Sequence, residues 1–573
     1  MSVKRFPIFK AGYIFNEFKG TLKENYSLKY SKVMVNYPCR LDAMAIDPSA
    51  VCYNDDMIFT PGEVVISANM KIKVTVKLID KDNGNLVISK TTKRKVLVKH
   101  AYYLITKVLK VNPSLEIDVY DNDIPKHCGF GSSSSTITAV ASAINELYGC
   151  PIKNSDLIKY LASNHGEEID NANENDLKLV QSIGGGATNG LVEQGIIIIA
   201  GRATTIAKMK YEADVLIGLP NDFIQKNADE LMKLEEDNLW KFGETGKKYA
   251  KEIAYNLLHK ALPDMVNGKI DSLAKVVFDY RFDMGSINNC SFVYEKMNDD
   301  ARILRKLYED KHCEFLSLSS VGPAFFVLVN DEKQKQICKK TMEDCNMKVM
   351  ETTVCNNTYE CEKEDMEKVF WEKESTAKEF TERPASKYIT DAIDEVLLNK
   401  EKNIKALDIG CGGGRYSRYL SNIVNNVYAI DRYEQMAFSV KNTNISFAKA
   451  NMYNIPFEDN MFDLIISIGV VHNAVTIKEF NNSIKEINRL LKPNSRAILS
   501  VFTNDVITND LIKTGENLYN IVNRPPMVLL SKKQIDELLA FNNLHKLRVI
   551  DEHITDVGGG GSRNVYSVLL QKQ

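Results

Sequence analysis

The sequence predicts two folded units, an α+β domain followed by an α/β domain built on a parallel sheet. Three observations predict this. After residue 385, short apolar strands alternate with helical stretches: KALDIGCG, YSRYLSNIV, VYAID, FDLIISIG, a long helix near 477–491, then RAILSVF. That alternation belongs to parallel sheets covered by helices on both faces. Before residue 355, strand-like and helix-like patterns mix without it. Between the two lies 356–385, densely charged, rich in helix formers and closed by Pro384, which reads as a helical connector. The expected domains are therefore 1–355 and 386–573, joined by a charged helical linker over 356–385.

Composition bounds the function. The 573 residues suffice for more than one core, and the 44% hydrophobic and 26% charged fractions are those of an ordinary soluble protein. Lys+Arg total 73 and Asp+Glu 75, a net charge of −2. This excludes a generally basic nucleic-acid-coating protein. Eleven cysteines include no C-x-x-C pair and no accompanying His cluster, which argues against zinc or a disulfide framework and for a reducing, cytoplasmic setting. No metal ligand set is assigned. The first residues lack an apolar run of signal-peptide type. Ile196–Ala200 is the most apolar stretch, far short of the roughly 20 residues that span a bilayer. The expected partners are small molecules, with no membrane; a homodimer stays open.

In chain order, residues 64–79 (VVISANMKIKVTVKLI) alternate like a half-buried strand, and 133–148 and 225–278 read as helices. The most informative stretch is Asp123-Ile-Pro-Lys-His-Cys-Gly-Phe-Gly-Ser-Ser-Ser-Ser135. It precedes a helix whose apolar face is Ile137, Val140, Ala141, Ile144 and Leu147, with Gly149 as its C-terminal cap. A glycine- and serine-rich loop at a helix start offers N–H groups and hydroxyls to an anion. Gly129, Gly131, Ser132, Ser133 and Ser134 would cradle a phosphate or diphosphate, with Lys126 and His127 adding positive charge. A plain serine-capped helix is the simpler alternative. The charged runs Lys226–Glu236 and Glu360–Glu367 read as solvated helix faces.

In the second unit, Ala406-Leu-Asp-Ile-Gly-Cys-Gly-Gly-Gly414 is a strand that breaks into glycines and opens a helix. Gly410, Gly412 and Gly414 let backbone approach a ligand. The next strand ends at Asp431, 23 residues after Asp408, where a carboxylate can accept two hydrogen bonds from a ribose diol.

Further elements follow in order: Asn451-Met-Tyr-Asn-Ile-Pro-Phe457, Phe462–Ser467, Gly469-Val-Val-His472, and Glu486–Pro493. Together they resemble the class I S-adenosylmethionine-dependent methyltransferases, of Rossmann-like fold, over about 170 residues. The resemblance implies that Asp408 and the glycine loop hold the methionine portion and Asp431 the ribose. Asn451 and Met452 complete the cofactor-binding set, with Asn451 where the family often has Asp against the adenine amino group. His472, after the fourth strand, would lie near the methyl group, as a catalytic base or as a pocket wall. Asn523-Arg-Pro-Pro526 reads as part of a lid.

The first unit's loop resembles the phosphate loop of the GHMP kinase superfamily. Pro38-Cys-Arg-Leu-Asp-Ala-Met-Ala-Ile-Asp47 and Leu318-Ser-Ser-Val-Gly-Pro-Ala-Phe-Phe-Val-Leu328 stand at its first and third motifs. That fold joins a ribosomal-protein-like half to a ferredoxin-like half. Many of its kinases carry an Asp base in a Gly-Gly-x-Asp context; here Ser182-Ile-Gly-Gly-Gly-Ala-Thr-Asn189 has none. Gly190–Gly201, Arg40, Leu41, Asp47 and Ser319-Ser-Val-Gly-Pro323 are similar instead to the beta-ribofuranosylaminobenzene 5'-phosphate synthase branch, with Asp42 replacing its His. That branch joins phosphoribosyl diphosphate to an aromatic carboxylate through carbon, releasing diphosphate and carbon dioxide. The resemblance implies Mg²⁺ and places Arg40, Asp47 and Glu193 among the catalytic residues; Asp47 and Glu193 would bind metal or ribose hydroxyls, or hold the fold as a salt bridge or cap. The combined expectation is a fusion of two enzymes acting on small molecules. Two rivals remain for the first unit: an ATP-dependent small-molecule kinase, and a non-catalytic ligand-binding module that regulates the methyltransferase.

Overall fold

The computed structural model describes residues 7–573 except 25, 51–60, 80–83, 170–174, 180–184, 225–227, 399, 441–443, 514, 522–523 and 559–560. The first domain is organised on two 16-residue antiparallel strands, Tyr30–Ala45 and Glu63–Leu78. Their inward residues, among them Val33, Val35, Tyr37, Leu41, Val64 and Ile66, are fully buried. Leu115–Tyr120 and Leu86–Ile88 extend the sheet on one side, and Ile196–Ala200 pairs with the opposite end of Glu63–Leu78. The helix Ser132–Leu147 runs through the core, and every residue except Ser134 is buried. Part of that burial is compensated by hydroxyls turned back onto the helix: Thr136 and Thr138 donate to the carbonyls of Ser132 and Ser134, both at 2.8 Å. Gly149 ends it in the left-handed conformation (φ +73°), as expected from sequence.

The second half of this domain is a four-stranded antiparallel sheet ordered Phe315–Leu318, Phe325–Val329, Asp214–Pro220, Met347–Thr353. The helices Met297–Glu309 and Glu332–Asp344 pack against it. The two halves are the α+β arrangement expected.

The connector differs from expectation. Glu360–Asp365 is an edge strand, paired antiparallel with the Tyr30–Asn36 end of the first sheet. Its alternating acids find cations across the sheet, with Lys71 beside Glu360 and Lys32 3.0 Å from Glu364. Helices begin only at Met366–Trp371 and continue with Glu374–Glu382 and Lys387–Leu397. Part of the expected linker thus belongs to the first domain.

The second domain is a seven-stranded sheet with helices on both faces. Its order is Ser446–Lys449, Asn426–Asp431, Lys405–Ile409, Phe462–Ile468, Leu491–Thr503, Gly561–Lys572, Leu544–Gly558. The first five strands are parallel and the last two pairings antiparallel. The order reverses beside Lys405–Ile409, so a crevice opens at that strand's carboxyl end. A small sheet, Leu511–Lys513, Leu518–Ile521 and Arg524–Val528, follows the fifth strand. Arg524 to Pro526 of the expected lid are its last strand; Asn523 lies outside the described residues.

Candidate functional site

In the first domain, Gly131 caps the helix Ser132–Leu147 in the left-handed conformation (φ +60°), and Gly129 adopts φ +91°. Both positions are sterically reserved for glycine. A Cβ on Gly129 would lie 2.5 Å from the Ser319 carbonyl oxygen, and one on Gly131 2.6 Å from the Arg40 side chain. The loop is tied to the third motif by the Ser319 hydroxyl, which donates to the Gly129 carbonyl at 2.7 Å and accepts from the Asp42 amide at 3.0 Å. The three motif blocks therefore meet. They enclose a cavity of about 260 Å³.

One side of the cavity is the loop, with His127, Gly129, Gly131, Ser132, Ser133 and Ser134. The first N–H groups of the helix lack intrahelical partners and point toward it. Arg40, Asp42, Arg281 and Glu167 add charge, while Leu231, Met232, Leu239 and Phe242 form an apolar wall. Arg40 donates to Glu63 at 2.8 Å and lies 3.2 Å from Asp42. Burial pushes the Glu63 carboxyl up to about 8, against the pull of Arg40. Burial and nearby Glu167 push Glu235, also on the cavity wall, up to about 7. His165 is pressed down to about 4 by burial. Lys126 is not among the lining residues; burial and Arg94 lower its ammonium's pKa.

Two expected residues stand elsewhere. Asp47 accepts from the Ser49 amide at 3.0 Å and caps the turn Pro48–Ala50. Glu193 is exposed in the turn before Ile196–Ala200. Neither is among the residues lining the cavity. The residues at the kinase Asp position, Thr188 and Asn189, are fully buried, and the Asn189 amide donates to the Pro38 carbonyl. Ser182 to Gly184 of that block lie outside the described residues.

Three further residues at the site were not among the expected site residues. Asp42 is 6% exposed, lines the cavity, and has a buried Oδ1 without a hydrogen-bond partner. A β-bulge between Asp42 and Met44 sets its direction. Arg281 is buried and binds the carbonyls of Ala43, Asp42 and Ser320 and the hydroxyls of Ser286 and Ser317. Arg94 donates to the Ser132 hydroxyl at 3.0 Å and to Glu167 at 2.9 Å. Asp42 was signalled, since it lies one strand period from Arg40; nothing local singles out Arg281 or Arg94.

In the second domain, Asp408 sits beneath the glycine loop and accepts from the Ser417 hydroxyl at 2.6 Å. Burial raises its carboxyl to about 6. Asp431 accepts the Gly412 amide on Oδ2 and the Tyr433 amide on Oδ1, each at 2.9 Å. The glycines divide into two kinds. Gly410 (φ +69°) and Gly414 (φ +75°) pack against Val470 and Val440, where a Cβ would lie 2.4 and 2.2 Å from their methyl groups. Gly412 (φ +49°) faces space: its nearest neighbour would be Met436 Cε at 3.9 Å, and Gly469, after the fourth strand, would meet nothing within 4 Å. A cradle of this kind fits a nucleoside ligand lying across the strand ends, so the residues present suit S-adenosylmethionine. Asn451 and Met452 follow the third strand, both half-buried, with the Asn451 carbonyl accepting from the Asn454 amide at 3.1 Å.

His472 is corrected. It is 2% exposed, stacked on Phe502 at 4.2 Å between centroids, and its Nδ1 accepts the Phe502 amide at 3.1 Å. Burial lowers its pKa to about 3, with Arg563 contributing. Such an imidazole is neutral with its proton on Nε2, and its lone pair is already used. It is not a free base.

Among the described residues no helix is long and apolar enough to cross a membrane, and no group of three or more His, Cys, Asp or Glu could hold a metal ion.

Two family profiles match. One described as "Methyltransferase domain" covers residues 407–499, and one described as "GHMP kinases N terminal domain" covers residues 96–175. The chain is 28% identical over 191 residues to a malonyl-[acyl-carrier protein] O-methyltransferase of Buchnera aphidicola, covering 31% of this chain and 76% of that enzyme. It is 29% identical over 143 residues to a probable tRNA methyltransferase 9B of Mus musculus, covering 25% of this chain and 30% of that protein. Among solved structures, homoserine kinase from Cytophaga hutchinsonii aligns over 61% of this chain and 100% of its own, at 14% identity and a TM-score of 0.40. Residues 96–175 are thus similar to the GHMP kinases' N-terminal domain and residues 407–499 to a methyltransferase domain.

Proposed function

We propose that the protein is a two-step biosynthetic enzyme for small molecules. The first domain joins phosphoribosyl diphosphate to an aromatic or heteroaromatic carboxylate through carbon, releasing diphosphate and carbon dioxide. The second transfers a methyl group from S-adenosylmethionine to a small-molecule acceptor. The observation that carries the first half is the shape of the cavity. An N–H-rich loop at a helix start faces an apolar wall across about 260 Å³, and the position of the kinase Asp is buried in the core.

That arrangement suits departure of a diphosphate. Negative charge building on the leaving group meets the helix start, Arg40 and His127. The electron-rich ring lies against Leu231, Met232, Leu239 and Phe242, and its carbon replaces the diphosphate at the ribose, with carbon dioxide lost from the same ring position. No strong base is required. Mg²⁺ binds diphosphates through one or two carboxylates plus phosphate oxygens. The unpartnered Oδ1 of Asp42, with Glu235 also lining the cavity, is suited to hold it. In the second domain Asp431, Gly412 and Gly469 would hold S-adenosylmethionine, whose sulfonium supplies an already activated methyl group. The protein's own task there is alignment and exclusion of water. A net charge of −2 favours a small acceptor over a nucleic acid.

The deciding experiment mixes the full chain with phosphoribosyl diphosphate, Mg²⁺ and a panel of aromatic acids, and follows diphosphate, carbon dioxide and product mass. Isolated product is then offered with S-adenosylmethionine. The kinase reading is kept because the family profile over residues 96–175 bears that description. Acceptor-dependent ADP formation without diphosphate would establish it in place of the synthase.

A further inference from the structure

The glycine loop of the methyltransferase domain is covered by residues that the first domain holds in place. The last turn of the helix Glu374–Glu382 lies directly on the loop, where a Cβ at Gly413 would sit 2.4 Å from Thr381 Cα. This helix is bound to the preceding one, Met366–Trp371, through an aromatic cluster. Trp371 packs edge-on against Phe370 (centroids 5.0 Å apart) and in a tilted stack against Phe380 (5.6 Å).

The helix Met366–Trp371 is in turn rooted in the first domain. It follows directly on the edge strand Glu360–Asp365. Met366 is 5% exposed within the first domain's core, and its amide donates to the Lys29 carbonyl at 2.9 Å. Next along, Glu367 crosses to the second domain and pairs with Arg432 at 2.7 Å, its side chain 19% exposed. Arg432 immediately follows Asp431. Through Asp431 it is linked to the Gly412 amide. One residue before Lys29, the Leu28 amide donates to Asn520 Oδ1 at 3.1 Å. Asn520 lies in the small sheet after the fifth strand, which touches the turn holding His472. One short segment of the first domain therefore grips covers on both sides of the methyltransferase crevice.

We propose that the methyl-donor site is bipartite: the connector helices anchored in the first domain form its roof, and Glu367 is a positioning residue acting through Arg432 on the Asp431–Gly412 unit. Donor affinity then depends on contacts outside the α/β domain. The inference rests on the reading of the Gly410–Gly414 crevice as the S-adenosylmethionine site.

The test uses the full chain and calorimetric titration with S-adenosylhomocysteine. Glu367→Arg should weaken binding about fivefold or more, the scale set by loss of a partly shielded, charge-assisted pair. The swap Glu367→Arg with Arg432→Glu should restore most of it, which a merely structural role for Glu367 would not do. Trp371→Ala should weaken binding further by loosening the roof, while pyrophosphate binding at the first cavity stays unchanged, showing that the first domain is intact. Wild-type binding with all variants within twofold of it would overturn the bipartite site. Failure of the wild type to bind at all would overturn the crevice assignment and the proposal with it.

Discussion

The Gly412 amide donates to Asp431 Oδ2 at 2.9 Å, so the loop after the first strand and the carboxylate ending the second form one rigid unit. The other carboxylate oxygen is engaged by the Tyr433 amide. The Arg432 amide also bonds this carboxylate, and the lone pair that remains is open to a ligand hydroxyl.

Asp431→Asn leaves only one acceptor for the Gly412 and Tyr433 amides. Hydrogen bonds to a charged group contribute about 1.5–3 kcal/mol each. The variant is expected to bind S-adenosylhomocysteine about tenfold more weakly or worse, measured by calorimetry, with melting lowered by the loosened loop. Unchanged affinity would remove Asp431 from the site.

At the first cavity, Gly131→Ala places a Cβ 2.6 Å from the Arg40 side chain at a φ of +60°. Strained backbone of this kind costs on the order of 1–3 kcal/mol. The variant should melt lower and lose pyrophosphate binding as Arg40 is pushed aside. Gly243→Ala is the control, since a Cβ there meets nothing within 4 Å. Equal effects at both positions would show that the loop geometry is not what matters.

Both loops could be read from the sequence because glycine and serine spacing is a local signal, and a helix start needs only its neighbours to define it. Other features depend on partners far along the chain. Glu360–Asp365 carries no apolar alternation, and its pairing to Tyr30–Asn36 comes from a strand more than 300 residues earlier. Asp47 and Glu193 lie in the expected motif blocks, yet the turn after Ala45 and the exposed turn before Ile196 carry them off the cavity. The environment of His472 is made by Phe502 and Arg563, neither of which a strand-end position foretells.

That environment makes His472 an acid-sensitive element. Its pKa falls from 6.5 to about 3 in the fold through burial. Between those values the unfolded chain binds a proton that the native protein does not, so stability declines as pH drops below about 6.5. At 1.36 kcal/mol per unit the loss reaches about 2 kcal/mol by pH 5. His472→Gln should therefore be less stable than wild type at pH 7.5, with the gap narrowing by about that amount at pH 5 in urea denaturation. A base role would instead show as loss of the acidic limb of the pH–rate profile; with Nδ1 committed to the Phe502 amide, no such change is expected.

Asp42 offers a test in which the sign of the effect reverses. Its Oδ2 faces Arg40 and its Oδ1 is buried without a partner. A carboxylate so close to an anion loop repels a diphosphate unless a cation lies between them. Asp42→Asn removes that charge while keeping the shape of the side chain. Without metal, the variant should bind pyrophosphate as well as or better than wild type, because the repulsion is gone. With Mg²⁺ at millimolar concentration the order should invert, wild type binding about tenfold more tightly, since the cation now joins carboxylate and phosphate oxygens. Parallel titrations with and without the metal read both signs in one protein. Weaker binding by the variant under both conditions would show that Asp42 holds the loop in place and is no metal ligand. Identical binding under both would place it outside the anion site altogether.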